Sequence, residues 1–284
     1  MFEQLNDPTF LLLNNGAGDL ASGIAVRLHR CGFRLAMTEI PKPLMVRRTV
    51  SFGEAVYEGM VQIEGIRAVR VEDSRQARKV IADGNIPILV DPEAACRYEL
   101  LPAVVVDAIM AKTNTGTQIT DAPLVVAIGP GFTAGIDCHA VVETNRGHHM
   151  GRVITFGSAE PDTGQPGEIG GKSTERLLRA PIAGVVEPLA VIGDRVEERQ
   201  IVARVGDEAV LAQTSGVLRG MIRRGVQVSA GTKIGDVDPR AEKSHCYEVS
   251  DKSLAIAGGV LEAIFSLQSC ADVEKTKPRD ASLQ

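Results

Sequence analysis

The sequence has no tryptophan and only three tyrosines and seven phenylalanines, so it offers few flat side chains on which single-stranded bases could stack. It also lacks a positive excess: 31 Lys and Arg stand against 36 Asp and Glu, a net charge of -5. Such a balance exerts no global pull on nucleic acid or an anionic membrane, and any anion site has to be built locally. No stretch approaches the roughly 20 apolar residues of a membrane helix. The early apolar run, Phe10 to Leu13, is too short for the core of a secretion signal. The five cysteines (Cys31, Cys96, Cys138, Cys246 and Cys270) are odd in number, widely spaced and free of any CxxC pair. They fit the reduced thiols of a cytoplasmic protein better than a disulfide framework or a zinc ribbon. No nucleic-acid partner, membrane partner or metal is expected, and a homo-oligomer is left open.

What remains is an ordinary globular composition, 44% hydrophobic and 24% charged, on a chain long enough for two domains. Through the first half, short apolar runs alternate with helical patterns, the order of βαβ units and a mainly parallel sheet. Strands are expected over 10–14, 34–38, 66–71, 87–90, 103–107 and 124–128. Leu20, Ile24, Leu28 and Cys31 recur at helical spacing and predict a helix over 19–31. The stretch 157–172, crowded with glycine and proline, reads as a linker or long surface loop. Beyond it, residues 179–205 and 211–237 superpose at a constant offset of 32, pairing Gly184 with Gly216, Gly193 with Gly225 and Val205 with Val237. One supersecondary unit has been used twice. The repeat resembles the two halves of the biotinyl and lipoyl carrier domains, a flattened β barrel-sandwich hybrid. In those carriers the hairpin between the halves presents a lysine, whereas here the junction from Arg204 to Val210 has none. Covalent biotin or lipoate is therefore not expected. The fold class is thus α/β: a Rossmann-like parallel sheet domain over 1–156, a linker over 157–178, and a small lipoyl/biotinyl-type barrel-sandwich hybrid β module over 179–240. A C-terminal helix over 241–269, capped by Ser250, and a disordered polar tail over 270–284 complete the chain. Gly258 and Gly259 inside that helix call for close packing to offset their low helix propensity.

Candidate site residues fall in three places. Gly16, Gly18 and Ala21 form G-x-G-x-x-A between a strand and a helix, where the first glycine makes the turn and the second lets a pyrophosphate approach the backbone. The helix N-terminus attracts an anion, Asp19 competes for that dipole, and Glu39 stands where a dinucleotide site places its ribose-binding acid. Arg47 and Arg48 suggest an anion clamp. A second glycine-rich loop, Gly129, Gly131 and Gly135, follows the last strand of the α/β pattern and is expected to line the same crevice. Behind it, period-2 alternation puts Asp137, His139 and Glu143 on one face with Arg146 just beyond, a polar wall suited to proton transfer.

The blocks 16–23, 47–59, 127–154, 179–240 and 250–264 together resemble the accessory-protein family of the selenium-dependent molybdenum hydroxylase system. That resemblance implies a maturation role beside a molybdenum hydroxylase apoenzyme, with a molybdopterin cofactor or a dinucleotide as ligand. The alternative from a different class is an NAD(P)-dependent oxidoreductase, although the sequence shows no Tyr-x-x-x-Lys pair.

Overall fold

Leucine and valine runs bounded by glycine, asparagine and aspartate build the strands of one large sheet. The computed structural model describes Asp7 and residues 9–276, with side chains described through Leu267. In chain order the sheet takes β1 (Leu11–Asn15), β2 (Arg34–Glu39), β3 (Met60–Ile63), β4 (Ile66–Val71), β5 (Ile86–Val90), β6 (Val104–Asp107) and β7 (Leu124–Ile128). After the short β8 (Thr133–Ala134) come β9 (Ala140–Val142) and β10 (Val153–Ile154). Their order in space is β10-β9-β7-β6-β1-β2-β5-β4-β3. All neighbours are parallel except the edge pairs β3–β4 and β9–β10. The chain moves one way from β1 to β2 and then crosses back to place β6 on the other side of β1. A crevice opens at such a reversal, outside the carboxyl ends of the strands.

Both faces of the sheet are covered, which is why β1 is buried at every position. One face packs against α1 (Asp19–Arg30) and the long C-terminal helix, whose Ile256, Ala257, Val260, Ala263 and Ile264 join Leu12, Ile24 and Val106 in one core. The other face takes α2 (Ser74–Ala82), which starts at Asp73, whose carboxylate accepts from the Gln76 N–H. The C-terminal helix, α3 (Asp251–Thr276), therefore belongs to the sheet unit. It runs past the expected end at 269, which corrects the tail that the sequence placed from 270; residues 277–284 lie outside those described. Gly259 provides the anticipated close approach, because a Cβ there would lie 2.2 Å from the Gly151 carbonyl oxygen.

Past β11 (Gly157–Ser158), the internal repeat becomes two four-stranded antiparallel sheets. Its strands are β12 (Leu177–Arg179), β13 (Gly184–Pro188), β14 (Arg195–Val196), β15 (Ile201–Val205), β16 (Glu208–Leu211), β17 (Gly216–Met221), β18 (Gln227–Val228) and β19 (Lys233–Asp238). One sheet has the order β12-β19-β17-β14 and the other β16-β15-β13-β18. An offset of 32 residues carries the start of β13 onto that of β17, β14 onto β18 and β15 onto β19. It exchanges the two sheets as wholes, so the unit has internal two-fold symmetry. Val186, Val202, Leu218, Ile234 and Val237 fill its separate core.

The stretch expected to be a linker is not free chain. β11 pairs with β8, the Glu160 N–H donates to Glu143, Asp162 pairs with Lys112 at 2.6 Å, and the Gly167 carbonyl accepts from Arg176. Its Pro161, Pro166 and Gly167 face residues of both units.

Candidate functional site

Two cavities lie at the carboxyl edge of the parallel strands, one on each side of the loop from Gly16 to Leu20. The first, about 280 Å³, is lined by Gly16, Gly18, Thr38, Glu39, Ile40, Leu44, Met45, Asp91 and Ile109. The second, about 320 Å³, lies between the sheet unit and the β unit. Asp19 and Leu20 at the start of α1, Met110 after β6, Pro130 after β7 and Arg146 after β9 meet Arg176, Arg219, Lys233 and Asp236 from the other unit there.

The second cavity is strongly cationic. Arg47, Lys112, Arg146, Arg176, Arg219, Lys233 and Lys252 share its lining with only four carboxylates, Asp19, Glu160, Asp162 and Asp236. Arg176 pairs with Asp236 at 3.0 Å, and Arg146 grips Asp251 through two hydrogen bonds of 2.9 and 3.2 Å. Those bonds hold the Asp251 carboxyl down at about 2. The Nε atoms of Arg47, Arg176 and Arg219 are buried without a hydrogen-bond partner among the described residues, an exception to the usual satisfaction of buried polar groups. Burial lowers the pKa of Lys252, with a smaller opposing effect from the Asp19 charge.

No family model matches the chain. It is 48% identical over 257 residues to the uncharacterized protein YqeB of Escherichia coli strain K12, a match covering 90% of this chain and 48% of that one. This chain resembles YqeB. It spans about half the length of that relative. Among solved structures, an aspartoacylase family protein from Mesorhizobium loti is 14% identical at a TM-score of 0.25, covering 80% of this chain and 84% of that one. The ectoine utilization protein EutE (DoeB) from Ruegeria pomeroyi is 12% identical at 0.22, covering 75% and 61%.

The structure sorts the residues expected from sequence. Gly16 and Gly18 both line the first cavity, but glycine is there for different reasons. Gly16 has a φ of +89° and a Cβ on it would lie 3.0 Å from Ile109 Cα, whereas nothing lies within 4 Å of a Cβ on Gly18. Glu39 lines the first cavity, yet its Oε2 accepts from the Ala17 N–H at 3.0 Å and its Oε1 from that of Ile40 at 2.8 Å. Burial raises its pKa against those two bonds, and the carboxylate serves to hold the glycine loop.

The arginine clamp is corrected in half. Arg47 lines the second cavity, anchored by bonds to the His245 and Glu248 carbonyls at 2.9 and 3.1 Å. Arg48 is a strut to the β unit instead: Nε donates to the Met221 carbonyl and Nη1 to Glu54. None of the three glycines of the second loop lines either cavity. A Cβ on Gly131 would lie 2.7 Å from Thr113 Cα, and one on Gly129 would lie 2.6 Å from Thr144 Oγ1, so these two glycines admit neighbouring chain. Gly135 closes a turn, its N–H donating to the Cys138 carbonyl.

The polar wall is corrected outright. β9 has only three residues, and the expected alternation breaks before it: Cys138 lies in the core on one face, Ala140 and Val142 in the core on the other. Asp137 accepts from the Thr133 N–H within a turn. His139 sits at the amino end of β9, where its Nδ1 accepts from the Val125 N–H at 2.9 Å, and burial lowers its pKa. Glu143 is 2% exposed and accepts from the backbone N–H groups of Thr144, Asn145 and Glu160. Only Arg146 reaches the cavity. Sequence reasoning missed Arg176, Arg219, Lys233 and Lys252. For Arg219 the available signal was a charged residue inside the apolar run from Val217 to Ile222.

Proposed function

We propose that this chain is an accessory protein of a molybdenum hydroxylase system that holds a phosphate-bearing ligand, a pterin or a nucleotide, at the carboxyl edge of a Rossmann-like sheet. The small β unit, a lipoyl-type module without its lysine, walls the neighbouring second cavity. The pathway rests on the resemblance of the ordered sequence blocks, and the ligand on the site.

The observation that carries the ligand reading is Gly18. Its φ of −67° suits any residue, and no packing neighbour requires the missing side chain. A glycine there costs unfolded-state entropy and returns open backbone beside the α1 N-terminus, where orphan N–H groups favour an anion. The competing nicotinamide-dependent oxidoreductase is less well supported, because both oxygens of Glu39 are already engaged by the backbone.

Gly18→Val tests the reading. Valine tolerates this backbone, so the variant should melt as the wild type does while losing affinity for the ligand in calorimetric titrations. Molybdopterin released from a molybdenum hydroxylase forms one arm and NAD the other. Equal affinity in a folded variant for whichever compound binds would remove the loop from the site, and binding of NAD alone would favour the oxidoreductase.

A further inference from the structure

Two guanidinium groups, one from each unit, share the lining of the second cavity. Arg47 follows β2 and Arg219 lies on β17. Each is only 7% exposed. Neither is well neutralised. Arg47 touches neutral carbonyls and stands 3.6 Å from Asp19. The ion partner of Arg219 is Asp238 at 3.6 Å, and that carboxylate is already gripped by Arg240 at 2.6 and 2.9 Å. The Lys252 ammonium, unlike its backbone, has no hydrogen bond or ion pair among the described residues and feels only the charges around it. A buried charge is costly unless paired, and the charge of Arg219 further disfavours that of Arg47.

The charge balance of the lining indicates what is missing. Three of its seven cations have a carboxylate partner within 3.0 Å. The other four, Arg47, Arg219, Lys233 and Lys252, share the lining with two carboxylates outside those pairs, Asp19 and Glu160. With Asp238 shared between Arg219 and Arg240, the surplus favours a multiply charged anion. The cavity volume of about 320 Å³ accommodates a phosphate or pyrophosphate, and the guanidinium groups of both arginines belong to its lining.

We propose that a doubly charged phosphate group, a phosphomonoester or a pyrophosphate, is the counter-ion this cavity is built around, held by Arg47 and Lys252 from the sheet unit and by Arg219 from the β unit. The β unit then acts as the second jaw of an anion clamp instead of a carrier. The identity of the organic part rests on the function proposed above; the anion does not.

Inorganic phosphate and pyrophosphate are the probes, with chloride at matched ionic strength as control. Both should raise the melting temperature of the wild type, as any ligand selective for the folded state does. Pyrophosphate affinity should fall about tenfold or more in Arg219→Gln and in Lys252→Met, the loss expected from one charge-assisted contact. Without anion, Arg219→Gln should melt no lower than the wild type, since it removes one of two facing like charges. Gly18→Val should keep pyrophosphate binding. If Arg219→Gln does not fold, Lys252→Met decides. Stabilisation by chloride equal to that by phosphate, or unchanged pyrophosphate affinity in the folded variants, overturns the proposal. Pyrophosphate binding that depends on Arg219, with no pterin or nucleotide bound, upholds the clamp and sinks the functional reading. An organic ligand bound equally well by Arg219→Gln does the reverse.

Discussion

The two glycines of the first loop separate what the fold needs from what a ligand needs, and alanine at each position measures the difference. At Gly16 the backbone sits at φ +89°, and a Cβ would lie 3.0 Å from Ile109 Cα and 3.1 Å from the Ala108 oxygen. The left-handed conformation costs an L residue about 1 to 2 kcal/mol, and forcing β1 and β6 apart at their carboxyl ends adds about 1 to 2 more. Gly16→Ala should therefore lose about 2 to 4 kcal/mol, or about 5 to 10 °C of melting temperature for a chain of this size. At Gly18 neither contribution exists. Alanine gains about 0.4 to 1 kcal/mol by restricting the unfolded chain and gives up a similar amount as a poorer N-cap than glycine, so Gly18→Ala should melt within a few degrees of the wild type. Thermal denaturation followed by circular dichroism reads both. Equal destabilisation by the two variants would refute the argument, because Gly18 would then be a requirement of the turn.

Two further outcomes follow from the contacts. Glu54 is a buried carboxylate shared by Arg48 at 2.9 Å and Arg223 at 2.6 Å; Glu54→Gln should cost about 2 to 3 kcal/mol by leaving the guanidinium groups under-paired, and a melting curve like that of the wild type would show that this junction is dispensable. Burial lowers the pKa of His139 from 6.5, so the unfolded chain takes up the proton first. The stability it contributes is present above about pH 6.5 and lost as pH falls below it, and His139→Gln should flatten the melting profile between about pH 7 and 5; an unchanged slope would place that titration elsewhere.

Much of the sheet was legible because its signals are local. The runs expected over 66–71 and 124–128 coincide with β4 and β7, and the helix expected over 19–31 with α1, Asp19–Arg30. Continuous Val and Leu bounded by turn residues leave few alternatives for a buried strand. The 32-residue repeat was legible for a similar reason, since its glycines mark the same turns twice. The polar wall was misread because β9 stops after three residues, and alternation says nothing about where a strand stops. Arg48 was misread because its partner is remote, Met221 being 173 positions away, and Arg219 was missed because the cavity it lines is closed by residues of the other unit. No local pattern distinguishes an interdomain strut, a cavity lining and a solvated arginine.

The segment from Met45 to Glu58 ties the two units together. On its inner side the Gly53 N–H donates to the Ala17 carbonyl, the Phe52 N–H donates to Ser22 Oγ, and a Cβ on Gly53 would lie 3.2 Å from a Glu39 oxygen. This side fixes the glycine loop. On its outer side the Val46 carbonyl accepts from the Met221 N–H, and a Cβ on Gly220 would lie 2.7 Å from Val46. Arg48 and Glu54 complete that attachment. A displacement of the β unit large enough to move Arg219 therefore strains the same backbone that positions Gly16 to Asp19, since packed contacts transmit strain. An anion gripped by Arg47 and Arg219 would tighten the glycine loop and the β unit together, and a variant loosening the outer contacts, such as Glu54→Gln, should weaken pyrophosphate binding although Glu54 lies outside the cavity lining. Unchanged pyrophosphate affinity in that variant would show the two sides of the segment to be uncoupled.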